Sequence, residues 1–170
     1  MHGSDVSPWV HRFAELVPAG GRVLDVACGG GRHARFLLER GHPVTVVDRD
    51  TGGVKDLEKH ADVEILEYDL EGGAPWPFAG RCFEGVVVVN YLWRPVLADI
   101  VASVATGGAL IYETFARGQE QFGRPRNPDF QLRPGELLEA VRGALRVCAY
   151  EDLIVEEPDR RAVQRIAAVR

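Results

Sequence analysis

Residues 23–31, with the sequence Val-Leu-Asp-Val-Ala-Cys-Gly-Gly-Gly, decide the fold of this chain. The apolar residues predict a buried strand over residues 22–27, and the glycines predict a tight turn into a helix over residues 32–40. Glycine adopts positive φ easily and lets a ligand approach the main chain. The free N–H groups of the first helical turn attract a carboxylate or a phosphate. The segment therefore predicts a binding site at a strand–helix turn.

On both sides of this turn, short apolar runs alternate with amphipathic segments. We expect seven strands, over residues 22–27, 43–47, 63–67, 85–89, 109–112, 145–155 and 162–169. Helices are predicted to begin at Pro8, after an N-cap at Ser7, and to cover residues 32–40, 54–60, 95–104 and 134–141. This alternation predicts an α/β fold with a mostly parallel, doubly wound sheet, whose ligands bind beyond the carboxyl ends of the strands.

The composition restricts the function further. A chain of 170 residues and 18.7 kDa fits one domain over residues 1–170. The formal net charge of −5 differs from the basic charge that is typical of nucleic-acid-binding domains. Three scattered cysteines and five histidines show no metal-ligand spacing, and the longest apolar run, residues 86–89, is too short to span a bilayer. We expect a cytoplasmic protein with no metal, no membrane partner and no nucleic-acid partner.

Asp48 ends the second predicted strand, about 20 residues after the turn, where a carboxylate accepts the hydroxyls of a ribose. Two cofactors fit this arrangement. The pattern Gly29-x-Gly31-x-x-Ala34 matches the dinucleotide fingerprint, and the same stretch matches the first motif of S-adenosylmethionine-dependent methyltransferases. The turn by itself leaves both cofactors open.

Three further features favour the second cofactor. Asp25 lies within the carboxyl end of the first strand, where a carboxylate opposes a pyrophosphate but attracts the cationic amino-acid group of S-adenosylmethionine. Asp69 and Leu70 follow the third strand, where an adenine amino group and ring dock. Residues 76–87 contain Trp-Pro-Phe and later Phe-Glu before a valine run, which is similar to the Leu-Pro-Phe and Phe-Asp pattern of these methyltransferases.

On these motifs, residues 20–115 resemble a small class I S-adenosylmethionine-dependent methyltransferase. The short chain and the turn Cys28-Gly29-x-Gly31-Arg32 resemble the tellurite-resistance-type small-molecule methyltransferases. The resemblance implies a Rossmann-like, seven-stranded sheet that ends in an antiparallel edge hairpin, with S-adenosyl-L-methionine as the cofactor. Ala27 stands where the family usually has glycine.

The resemblance also implies which residues contact the cofactor. Asp48 binds the ribose, Asp69 the adenine amino group, and Leu70 offers its backbone N–H. The backbone carbonyl of Asn90 accepts the ammonium, and Arg32 reaches the methionine carboxylate. The predicted cofactor-binding residues are Asp25, Ala27, Cys28, Gly29, Gly31, Arg32, Asp48, Asp69, Leu70 and Asn90.

The acceptor side is less defined by the sequence. Tyr91 is the best-placed aromatic residue and our candidate catalytic residue, and no general base is identified. Residues 113–133 are polar and turn-rich, and we interpret them as an acceptor-site loop whose arginines hold an anionic substrate or a partner surface. The acceptor itself is expected to be an anion or a soft nucleophile. The candidate substrate-binding residues in this loop are Glu113, Phe115, Arg117 and Arg124. Residues 1–19 are interpreted as an N-terminal helix that forms a lid, with Trp9 and Phe13 over the site.

The sequence thus predicts a methyltransferase that acts on a small molecule by in-line methyl transfer. The alternatives are a nicotinamide-dependent oxidoreductase and a catalytically silent cofactor-binding module. The sequence leaves the choice between a monomer and a homodimer open.

Overall fold

The computed structural model describes residues 5–170, and its centre is one seven-stranded sheet. The strands are β1 Val23–Val26, β2 Val44–Asp48, β3 Val63–Glu67, β4 Phe83–Val89, β5 Val104–Phe115, β6 Arg146–Val155 and β7 Arg161–Val169. Their order is β3-β2-β1-β4-β5-β7-β6. Strands β1 to β5 run parallel, and β7 pairs antiparallel with both β5 and β6. The mostly parallel sheet with an antiparallel C-terminal pair at its edge is therefore confirmed.

Helices cover both faces of this sheet. The α-helices in the described part of the chain are α1 Pro8–Phe13, α2 Arg32–Glu39, α3 Leu97–Ala102 and α4 Glu136–Val141. Short 3₁₀ helices cover Ala14–Leu16, Gly52–Leu57, Arg94–Val96, Gln119–Gln121 and Pro128–Phe130. Because successive side chains of a strand point to opposite faces, Leu24 and Val26 belong to one buried cluster and Val23 to the other.

The strand order reverses beside β1, since β2 pairs on one side of it and β4 on the other. Such a reversal opens a crevice at the carboxyl ends of the two central strands. The loops after β1, β2, β3 and β4 all end at this edge, which is where the sequence predicts the ligand.

The N-terminal segment docks against the sheet through a buried polar network. The Ser7 hydroxyl caps α1 by accepting from the Trp9 and Val10 amides, as predicted. Trp9 is buried, and its indole N–H donates to the carbonyl of Ile166 on β7 at 3.1 Å. Burial, with a smaller effect of Arg32, lowers the pKa of His33 to about 4, so its neutral ring accepts the Ser7 amide at 3.2 Å.

Two predicted elements differ from the structure. The strand predicted over residues 109–112 extends over Val104–Phe115, because β4 and β7 pair with it from both sides. It therefore takes in residue 104 of a predicted helix and the start of the segment predicted to be irregular. The helix predicted over residues 54–60 is a 3₁₀ helix at Gly52–Leu57. Two glycines begin it, and glycine disfavours a regular helix.

Candidate active site

A cavity of about 700 Å³ opens at the carboxyl ends of the parallel strands, a volume typical of small-molecule sites. Residues from the ends of five strands and from the segment after β5 surround it. They are Ala27, Asp48, Arg49, Tyr68, Asp69, Leu70, Glu71, Asn90, Tyr91, Leu92, Thr114, Phe115, Pro125 and Phe130. The sequence analysis predicted the loops that contribute most of these residues.

The glycine turn after β1 leaves no room for a side chain at position 31. Gly31 has φ of +73°, and a Cβ at this position would lie 2.4 Å from Cγ1 of Val54. Arg35, which the sequence analysis did not identify, donates to the carbonyl oxygens of Gly30 and Gly53 and so ties the turn to the next loop. Only glycine therefore fits position 31 without displacing the segment after β2.

Ala27 occupies a position whose backbone conformation favours glycine, the residue that the resemblance leads one to expect there. Its φ is +53°, in the left-handed region that side chains disfavour. Ala27 also lines the cavity. The methyl group thus adds both backbone strain and apolar surface at the end of β1.

Asp48 joins the end of β2 to the glycine turn. Its Oδ2 accepts from the Gly29 amide at 2.8 Å, and its Oδ1 accepts from the Asp50 amide at 3.1 Å. An ionised carboxylate has about four lone-pair sites. Asp48 lines the cavity with capacity left to accept hydroxyl groups from a ligand.

Asp69 and Leu70 form the adjacent part of the wall, after β3. Asp69 is exposed, and its Oδ1 accepts the Glu71 amide at 2.9 Å. Leu70 is buried and packs in the core cluster that continues to Tyr91. A carboxylate and an apolar surface are therefore side by side at this strand end.

Asp25 places a carboxylate inside the core at β1. The residue is 1% exposed, and Oδ2 has no hydrogen-bond partner within residues 5–170. Burial raises the pKa of Asp25 to about 7, and the Ala34 amide and the Arg32 charge only partly oppose this. A bound cation would remove the electrostatic penalty, so the site fits a group such as an ammonium.

Asn90 and Tyr91 follow β4. Asn90 has φ of +57° and is exposed at the edge of the cavity. The Tyr91 hydroxyl is buried without a partner among the described residues. Burial, then Glu71, Asp69 and Asp48, raises the pKa of Tyr91. The phenol therefore stays protonated at neutral pH, which does not suit a general base.

The structure separates the predicted cofactor-binding residues into two groups. Ala27, Asp48, Asp69, Leu70 and Asn90 line the cavity. The others lie in β1 or in the turn and first residues of α2, outside the lining: Asp25, Cys28, Gly29, Gly31 and Arg32. Burial, then Asp25 and Asp48, raises the pKa of the Cys28 thiol, which packs in the same core cluster as Val23.

Of the predicted acceptor-site residues, Phe115 lines the cavity and three others do not. Glu113 is 2% exposed, and its carboxylate accepts from the Ser7 hydroxyl at 3.0 Å and from Arg165 at 2.9 Å. It is therefore part of the network that docks α1. Arg117 and Arg124 are exposed.

The predicted N-terminal lid is not formed by its aromatic residues. Trp9 and Phe13 are in contact with each other and pack in the cluster on one face of the sheet, and neither lines the cavity. The reason is the indole bond to β7, which holds α1 against the sheet. Residues 1–4 of the predicted 1–19 segment lie outside the described residues.

The sequence analysis missed the residues that organise the segment after β5. Arg94 donates to both carboxylate oxygens of Glu136, at 2.7 and 3.0 Å, and to the carbonyls of Asp129 and Gln131 at 2.5 and 2.9 Å. Pro125 and Phe130, on the same segment, line the cavity. No local pattern marks Arg94, since its partners are 35 to 42 residues away.

No helix in residues 5–170 has the length and apolar character needed to cross a membrane. In the same range, no cluster of three or more His, Cys, Asp or Glu side chains is arranged to hold a metal ion.

Comparison with known proteins supplies the context for this site. The profile of a family described as "Methyltransferase domain" matches residues 23–108. The chain is 32% identical over 110 residues to a phthiotriol/phenolphthiotriol dimycocerosates methyltransferase of Mycobacterium leprae, covering 60% of this chain and 41% of that protein. It is 30% identical over 122 residues to a ubiquinone biosynthesis O-methyltransferase of Burkholderia multivorans, covering 67% and 52%. The chain thus spans about half or less of these relatives' length.

Solved structures share the fold at low sequence identity. TehB from Haemophilus influenzae superimposes with a TM-score of 0.76 and 18% identity, over 97% of this chain and 62% of that one. A 1,6-didemethyltoxoflavin-N1-methyltransferase from Burkholderia thailandensis, solved with S-adenosylhomocysteine, gives 0.69 and 19%, over 95% and 76%. At these identities the likeness concerns the fold.

Proposed function

This chain belongs to the methyltransferase domain family, and from that premise we propose that it binds S-adenosyl-L-methionine and methylates a small-molecule acceptor. By their names, three of the proteins compared above are methyltransferases of phthiotriol and phenolphthiotriol dimycocerosates, of ubiquinone biosynthesis and of 1,6-didemethyltoxoflavin. We assign the acceptor of this chain no closer identity from them.

The observation that carries the proposal is the convergence of four strand ends on one cavity. Ala27 after β1, Asp48 at the end of β2, Asp69 after β3 and Asn90 after β4 all line it. In the proposed site, Asp48 accepts the ribose hydroxyls and Asp69 accepts the adenine amino group, beside the apolar surface of Leu70. A dinucleotide would bring a pyrophosphate to the same turn, close to the carboxylates of Asp25 and Asp48.

The unpartnered Oδ2 of Asp25 supports a cationic ligand over an anionic one. A buried carboxylate without a partner is unfavourable unless a positive group arrives on binding. The amino-acid portion of S-adenosylmethionine carries such a group. We therefore propose that Asp25 attracts the ammonium, together with the backbone carbonyl of Asn90.

When bound, S-adenosylmethionine supplies an activated methyl group, and the acceptor's lone pair forms the new bond as the carbon–sulfur electrons move to sulfur. The chain must hold the acceptor in line with that bond and keep water away, which supplies roughly 7–11 kcal/mol of barrier reduction. Tyr91 lines the cavity, where its ring can pack against a ligand, while its protonated hydroxyl is buried. A soft nucleophile, one of the acceptors expected from the sequence, would need no general base.

Calorimetric titration with S-adenosylmethionine, S-adenosylhomocysteine and NAD tests the cofactor assignment. We expect micromolar binding of the first two and none of NAD. Asp48→Ala should weaken binding of S-adenosylhomocysteine by about 1–3 kcal/mol, because ribose hydroxyls lose their acceptor. Asp62→Ala, which removes an exposed carboxylate outside the cavity, is the matched control.

Two results would contradict the proposal. Binding of NAD without S-adenosylhomocysteine would favour the oxidoreductase alternative. Binding of the cofactor without turnover of thiol, amine, phenol and oxyanion acceptors would favour the silent binding module.

A further inference from the structure

Part of the cavity lining is an apolar or aromatic wall. Phe115 at the end of β5 and Pro125 and Phe130 beyond it line this wall, together with Tyr91 and Leu92 after β4. Phe130 remains 37% exposed, so part of its ring is open to a ligand. A ligand that covers its ring would bury apolar surface that the fold itself leaves open.

The charges around the cavity are mostly negative. Asp48, Asp69 and Glu71 line it, and Arg49 is the one positively charged side chain among the described residues that do so. The same three carboxylates add to burial in raising the pKa of Tyr91, so their field reaches the acceptor side. An anionic acceptor would lose its hydration there without gaining a cationic partner from the wall.

Side-chain hydrogen bonds tie the segment that carries the aromatic wall to the rest of the fold. Arg94 fixes the backbone on either side of Phe130 by donating to the carbonyls of Asp129 and Gln131. The side-chain amide of Gln131 in turn donates through Nε2 to the backbone carbonyl of Pro125 at 2.8 Å. Gln131 is 1% exposed, so this contact is shielded from water.

Glu136 completes the support. Burial opposes its ionisation, but Arg94 and the Arg133 amide outweigh burial and hold the pKa of Glu136 below its usual range. The Arg94–Glu136 pair therefore stays ionised at neutral pH. An aromatic ring supported in this way offers a planar face on which a flat ligand can stack with little loss of order.

We propose that the methyl acceptor is an uncharged, planar molecule that packs against Phe130, with Arg94 as the positioning residue that holds this wall. The inference rests on the proposed function, because it names the acceptor class for the same cavity. It replaces the arginine-bound anionic acceptor expected from residues 113–133, since Arg117 and Arg124 do not line the cavity.

A matched pair of probes tests the charge preference. The protein is first saturated with S-adenosylhomocysteine, and 2-naphthol and 2-naphthoate are then titrated by calorimetry at pH 7.5. The two probes share the same fused ring and differ in charge. We expect 2-naphthol to bind at least about tenfold more tightly, since like-charge contacts disfavour the carboxylate.

Phe130→Ala tests the wall itself. Loss of the ring contact should weaken 2-naphthol binding by about three- to tenfold and leave the affinity for S-adenosylhomocysteine unchanged. Because Phe130 is partly exposed, this variant should fold normally. Phe122→Ala is the matched control: this ring lies in the same segment but packs under Arg160, outside the cavity lining.

The outcomes are distinguishable from failure of the proposed function. If S-adenosylhomocysteine does not bind, the cofactor assignment is wrong. If it binds and 2-naphthoate binds as tightly as 2-naphthol, or 2-naphthol shows no binding at millimolar concentration, the acceptor class is wrong. Equal losses in Phe130→Ala and Phe122→Ala would also overturn the assignment of the wall.

Discussion

Replacing Asp25 with asparagine should have opposite effects on stability and on ligand binding. The ionised carboxylate is buried with one oxygen unpartnered, which destabilises the ligand-free protein. Asparagine has nearly the same shape and carries no charge. It also resembles the protonated acid, because both are uncharged and carry a hydrogen-bond donor beside an acceptor oxygen. We therefore expect Asp25→Asn to stabilise the ligand-free protein above neutral pH and to weaken binding of S-adenosylhomocysteine.

The size of the effect follows from the pKa of Asp25, which burial raises from 3.8 to about 7. In the unfolded chain the carboxyl ionises near 3.8, so the folded state binds more protons between these values. The contribution to stability is fully present below pH 3.8 and is lost as the pH rises to 7. Two of these pH units lie between pH 5 and pH 7, at 1.36 kcal/mol each. The variant should thus gain roughly 3 kcal/mol over the wild type between pH 5 and pH 8.

Urea denaturation of both proteins at pH 5, 6, 7 and 8 measures this difference directly. Taking the difference between the variant and the wild type cancels the titration of groups that do not interact with Asp25. The charged groups that affect the pKa of Asp25 are Arg32, which lowers it, and Asp48, which raises it. Asp62→Asn serves as the control, because Asp62 is exposed.

Binding of S-adenosylhomocysteine should change with pH in the same experiment series. At pH 6 about one tenth of Asp25 is ionised, so the wild-type dissociation constant should be about tenfold higher than at pH 8. The variant should bind more weakly at pH 8 by roughly 1.5–3 kcal/mol and show no such rise. A stability difference that is constant from pH 5 to pH 8 would refute the account of Asp25, as would wild-type affinity in the variant.

Other predictions concern the two supports of the site. Arg94→Met leaves Glu136 buried with Arg133 as a weaker partner, so the free energy of unfolding measured in urea should fall by about 1–3 kcal/mol. The Michaelis constant for the acceptor should rise, while that for the cofactor stays constant. Arg94→Lys should restore part of the stability but not the Michaelis constant for the acceptor. Gly31→Ala should lower the free energy of unfolding by about 2–5 kcal/mol, because alanine disfavours the positive φ and its Cβ clashes with Val54. Adding Val54→Ala to this variant should recover the part of the loss that is due to the clash. Ala27→Gly should stabilise the protein by up to about 1 kcal/mol by removing strain, measured by the same denaturation.

The cofactor side of the site could be predicted because its signals are local in the sequence. The turn at Gly29 and Gly31 and the carboxylates of Asp48 and Asp69 each follow directly after a short apolar run. Carboxyl ends of parallel strands meet at one edge, so the order of the residues along the chain was enough to bring them together. The positions of Asp48 and Asp69 in the cavity lining agree with this reasoning.

The acceptor side could not be predicted in the same way. The irregular composition of residues 113–133 gave no sign that β5 continues to Phe115, because the extension depends on pairing with two other strands. Nor did it show that Arg94 fixes the segment, since that contact joins residues about 40 positions apart. Arginines in a polar segment suggested an anion site, although Arg117 and Arg124 are exposed and lie outside the cavity lining.

The family match covers one side of the cavity and stops short of the other. The family match covers residues 23–108, which contain the glycine turn, Asp48, Asp69 and Asn90. Phe115, Pro125 and Phe130, which form the acceptor wall, all lie beyond it. The match therefore bears on the residues that would hold the cofactor and carries no information about the wall that contacts the acceptor. Because the wall lies outside the matched part, the substrates of the relatives do not transfer to this chain, and its acceptor must be inferred from the wall's own residues and charge.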